Sequence, residues 1–93
     1  MSNAIILDPT DNVATAIVDI AQGETVQAHG RSVTTIEPIP FGHKVALQPL
    51  AANAVILKYG ESIGLALGDI AEGACVHVHN VDSQRGRGDR GGN

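Results

Sequence analysis

At 93 residues the chain is long enough for one domain with a thin core and no more. Its 43% hydrophobic content excludes wholesale disorder, and an apolar set of Ala, Val, Ile and Leu with one Phe, one Tyr and no Trp favours short strands over a helical bundle. A net charge of −4 excludes a general nucleic-acid binder, and Cys75, the single cysteine, rules out an internal disulfide and fits a reducing compartment.

The pattern of a secretory leader is missing, as is any apolar run of about 18 residues. The expected location is therefore cytoplasmic, with no membrane partner. Ser2-Asn3-Ala4 reads equally well as a native start or as a cloning scar.

In chain order, Ala4–Leu7 is apolar and Asp8-Pro9-Thr10-Asp11-Asn12 is a turn cluster. Val13–Val18 reads as a strand, apolar on both faces except at Thr15. In Asp19–Val26, Asp19 can cap a single helical turn, Gly23 can end it, and Thr25-Val26 starts a strand. Arg31–Ile36 is rich in β-branched residues and reads as another strand. Pro40 and Gly42 mark a turn before the short buried strand Val45–Leu47. Further strands are expected at Val55–Lys58 and at Ile63–Leu67, the latter interrupted by Gly64. Asp69–Val76 repeats Asp19–Val26 at Asp, Ile, Ala, Gly and Val, and Pro49–Ile56 is a degenerate third copy with Asn53 in place of the glycine. No window sustains a 3.6-residue apolar period, so long helices are not expected. The fold class is all-β: short strands with one-turn helices, in a barrel-like or clip-like body. Residues 83–93, polar and rich in Arg and Gly, are expected to be a disordered tail after a domain at 1–82. Residues 1–81 hold three Lys/Arg against eight Asp/Glu, a net of −5, so the tail region alone leans positive.

Two constellations carry chemistry. His43-Lys44 sets an imidazole and an ammonium directly after a glycine at the mouth of a strand. The bland reading is a surface Lys beside a hydrogen-bonded structural His. His77-Val78-His79-Asn80 would put both imidazoles on one side if extended, which is half a metal site. A third ligand would come from His43, Glu61, Asp11 or another chain; the alternative is a pair of solvent-facing histidines. Tyr59-Gly60-Glu61 offers a phenol and a carboxylate around a turn, or merely a structural Tyr and a surface Glu. Cys75, in a strand without a basic neighbour in sequence, reads as buried rather than nucleophilic.

Read together, Asp11-Asn12-Val13-Ala14, Ile39–Leu47, Lys58–Gly64 and His77–Asn80 come in an order and at separations that resemble the amino-terminal SAF domain of the altronate/galactarate dehydratase family. The resemblance spans about residues 5–81. It departs from the family pattern at Phe41, at Ala54 and in the Arg-Gly tail. It implies a SAF-type β-clip fold. It also implies a stand-alone small subunit of a hydro-lyase that removes water from a sugar acid, working with a large catalytic subunit. The small subunit of sulfolactate sulfo-lyase is similar too. In that frame His43 and Lys44 are the catalytic candidates, Asn12, Tyr59, Glu61 and Asn80 contact substrate, and His77 and His79 bind metal. The cofactor would be a divalent ion, Fe2+ or Mn2+, held mainly by the partner. The competing reading is a SAF binding or assembly module without catalysis; a homo-oligomer is compatible with either.

Overall fold

A computed structural model describes residues 3–83. Within them the chain forms nine short strands: β1 (Ala4–Ile5), β2 (Val13–Ala16), β3 (Thr25–Ala28), β4 (Arg31–Thr34), β5 (Lys44–Ala46), β6 (Val55–Lys58), β7 (Glu61–Ala66), β8 (Cys75–Val76) and β9 (Val81–Asp82). The all-β expectation holds. Apart from Ser83, which sits in a turn, the expected tail lies outside the described residues.

The strands make three layers. An antiparallel sheet in the order β1-β2-β5-β8 lies between the β3-β4 hairpin and the three-stranded sheet β6-β7-β9. Successive residues of a strand face opposite ways, so the middle sheet feeds two cores. Ala14, Ala16, Val45, Leu47 and Cys75 join Val26, Ala28 and Val33 on one side. Val13, Ala46 and Val76 join Ile56 and Ala66 on the other. This explains why Val13–Ala16 reads as apolar on both faces, since the strand is covered on both; Ile17 and Val18, expected to continue it, lie beyond its end and are exposed.

The two outer hairpins are copies 30 residues apart. Each turns on two residues of positive φ, His29-Gly30 (52° and 79°) and Tyr59-Gly60 (56° and 79°), the backbone that a tight two-residue hairpin loop demands. Each is flanked by a four-residue turn closed by an N–H to C=O bond: Glu24 to Ala21 (3.3 Å), His43 to Pro40 (2.9 Å), Ala54 to Ala51 (2.9 Å) and Ala74 to Ala71 (3.1 Å). The third residue of each has positive φ: Gly23, Gly42, Asn53 and Gly73. These turns replace the expected one-turn helices; among the described residues there is no helix. The left-handed third residue closes the chain after four residues and sends it into the next strand, so a helical turn never starts. Asp19 does not cap its own turn either. Its carboxylate accepts the Phe41 N–H at 2.8 Å, just as Asp69 accepts the Ala52 N–H at 2.9 Å. Bridges Ile20 to Ile39 and Leu50 to Ile70 join the turns in pairs. The turn at Pro40–His43 is thus a fourth copy of the repeated motif, and it places the first site residue.

Candidate active site

His43 and Lys44 leave that fourth turn at the start of β5, and β5 pairs with β8 through Lys44 to Val76 and Val45 to Cys75. One step further in the same antiparallel register, His43 stands opposite His77. Cross-strand neighbours have their Cβ atoms about 5 Å apart, so the two rings are forced together. They stack with centroids 3.7 Å apart and planes 11° from parallel.

His77–Asn80 is not the strand expected from its sequence. The chain turns there, because Asn80 folds back on β8: its Oδ1 accepts the His77 N–H at 2.9 Å and its Nδ2 donates to the Cys75 carbonyl at 2.9 Å. The alternation that would have put His77 and His79 on one face does not apply. His79 is exposed but near enough for its charge to act on His77. The outer edge of β8 is completed by Glu37, whose Oε2 accepts the Cys75 N–H at 2.8 Å. Side chains thus occupy the hydrogen-bonding positions that would otherwise leave β8 an open edge.

Lys44, Ile63, His77, Val78, Val81 and Ser83 line an open cleft of about 320 Å³. Burial, and then the charge of Lys58, lowers the Lys44 pKa from its ordinary value. Desolvation of the ring, followed by the charges of His43, Lys44 and His79, lowers that of His77. Burial and Glu37 raise that of Cys75, which keeps the sulfur a thiol, 3.7 Å from His43 Nδ1. Two buried side-chain atoms have no hydrogen-bond partner among the described residues, Thr15 Oγ1 and His77 Nδ1. Both adjoin Lys44: Thr15 is its partner in β2, and His77 follows its partner in β8. Unpaired buried polar atoms are uncommon, and both of these adjoin one half-buried lysine.

The other expected contacts lie off this cleft. Asn12 is buried, and its side chain is spent on β6: Nδ2 donates to the Val55 carbonyl at 2.9 Å and Oδ1 accepts the Leu57 N–H at 2.8 Å. Asn3 makes the same two bonds 30 residues earlier, to the Thr25 carbonyl (2.9 Å) and the Gln27 N–H (3.1 Å). A clamp duplicated with the fold is structural. Asp11 is also spent, accepting N–H groups of Leu7 (3.2 Å), Asp8 (3.4 Å) and Gly60 (2.8 Å). Tyr59 occupies a hairpin tip with Lys58 Nζ 4.8 Å from its ring centroid, and Glu61 is exposed on β7; neither lines the cleft.

The residues do not fit a metal centre held by this chain alone. No three His, Cys, Asp or Glu side chains among the described residues gather to hold an ion. The stacked rings keep their lone pairs in parallel planes 3.7 Å apart, so as placed they cannot both aim at one ion.

Residues 2–84 match the altronate/galactarate dehydratase SAF domain. The chain belongs to this family. It is also 44% identical over 53 residues to the altronate dehydratase of Bacillus subtilis (strain 168), a match covering 57% of this chain and 11% of that relative. The matched segment is therefore a small part of a much longer dehydratase. This SAF domain brings together His43, Lys44 and His77, with Asn80 shaping the turn beside them. Sequence reasoning passed over Thr15 and Glu37. Thr15 was visible as the one polar residue in an apolar strand; Glu37 carried no signal, because its partner is 38 residues away.

Proposed function

We propose that this SAF domain is the small subunit of a sugar-acid hydro-lyase and works in the cytoplasm against a large catalytic subunit. The observation that carries the reading is the meeting of a half-buried lysine and an imidazole, distant in sequence, at one cleft, with a second imidazole stacked on the first, in a chain of the dehydratase family.

Dehydration of a 2,3-dihydroxy acid takes the proton from the carbon next to the carboxylate. The carbon–oxygen bond at the next carbon then breaks, its electron pair leaving with the hydroxyl, which departs as water once protonated. Lys44 pairs with the carboxylate as a point charge. His77, its pKa lowered, is the neutral imidazole expected of a base near neutral pH, and it lines the cleft where the proton would be taken. His43, stacked on the same ring, holds its plane and stands ready as the acid/base partner. Asn80 orients His77 through the backbone. The Fe2+ or Mn2+ of the reading belongs with the large subunit, as does most of the chemistry.

The test is reconstitution. The isolated chain should leave altronate and galactarate unchanged, and adding a large dehydratase catalytic chain should restore turnover. Lys44→Met and His77→Gln should each lower kcat of the complex by about 10²-fold or more. Turnover by the isolated chain at an ordinary rate would end the two-subunit reading. Sulfolactate belongs in the same assay, since a sulfo-lyase would use the same carboxylate contact.

A further inference from the structure

The walls of the cleft are unlike those of a sugar site. They supply one ammonium (Lys44), one imidazole (His77) and one hydroxyl (Ser83), and the rest is aliphatic: Ile63, Val78 and Val81. Thr15, whose buried hydroxyl is unpartnered, is the β2 partner of Lys44 and does not itself line the cleft. A polyhydroxylated chain laid along Ile63, Val78 and Val81 would lose water from several hydroxyls and find nothing to bond in return, which is unfavourable. A carboxylate and the C–H next to it meet a cation, an imidazole and apolar walls, which suit them.

Resting on the function proposed above, we infer that this chain grips its substrate by the carboxylate and the adjacent carbon only, and that the hydroxylated remainder points away from it. The domain is a reader of 2-hydroxy acids in general; discrimination among sugar acids lies in whatever covers the open side of the cleft.

The experiment is an amide chemical-shift titration of the full chain with glycolate, the shortest 2-hydroxy acid, and with altronate, which has the same charge and a longer polyol. Both should move the amides of Lys44, His77 and Val78, with Kd values within about threefold of each other. Lys44→Met should abolish both responses and Lys44→Arg should retain them, and an unchanged shift pattern elsewhere verifies that each variant is folded. Altronate binding about tenfold tighter than glycolate, or glycolate binding that survives Lys44→Met, would overturn the inference while leaving the dehydratase reading intact. Failure of both acids to bind at any attainable concentration would overturn the inference and remove the substrate contact on which the proposed function depends.

Discussion

The two outer hairpins show what a duplicated scaffold keeps and where it departs. Both carry the same loop, the same pair of flanking turns and the same asparagine clamp. The positions that differ are the ones that build the site. The turn ending at His43 leads into Lys44, whereas its counterpart ends at Ala74 and leads into Cys75. The strands after these two turns pair with each other, Lys44 opposite Val76 and Cys75 opposite Val45, so the two differing residues lie one register step apart on opposite faces. Repetition supplied a rigid frame, and divergence at one of its joints supplied the chemistry.

The sharpest way to break this symmetry is at the paired glycines. Gly42 and Gly73 both have φ of 86°, yet a Cβ on Gly42 meets open space while one on Gly73 runs into the Thr34 carbonyl. Gly73→Ala should cost about 3–5 kcal/mol and abolish folding in a domain this small, against about 1 kcal/mol for Gly42→Ala. Denaturant melts of the two variants measure the difference, and equal losses would mean that the two halves are packed alike.

The clamps come next. Asn12→Ala strands a buried carbonyl and N–H of β6 and should cost about 2–3 kcal/mol, while Asn3→Ala, whose bonds are exposed, should cost about 1 kcal/mol or less. If Asn12 served substrate rather than the fold, its replacement would lower activity of the reconstituted complex and leave the melt unmoved. Asp19→Ala and Asp69→Ala, which lose matched exposed bonds, should each cost about 0.5–1 kcal/mol and agree within error.

The smallest effect concerns Cys75, where the second half carries a thiol in place of Lys44. Its pKa is raised in the fold, so the folded state holds a proton that the unfolded state gives up above about pH 8.5. The stability this contributes is present below that pH and fades as the pH rises through it toward the folded value. Cys75→Ser should flatten the alkaline limb of the stability profile. In the unmodified protein, alkylation at pH 8 should run at least about tenfold slower than for a free thiol.

Composition and turn chemistry alone determined much here. The β-branched runs, the punctuating glycines and the absence of a helical period specify short strands and tight turns, because those preferences act within a few residues. They do not say whether a tight turn is one helical turn or a closed four-residue loop, which depends on where Asp19 sends its carboxylate. They do not reveal that His77–Asn80 bends, since that bend depends on Asn80 finding the carbonyl of β8. The meeting of His43 with His77, the burial of Lys44 and the stranded Thr15 hydroxyl were decided only by the register of β5 against its neighbours β8 and β2. Register is set by which hydrophobic faces can be covered at once, and that is a property of the assembled layers rather than of any local stretch of chain.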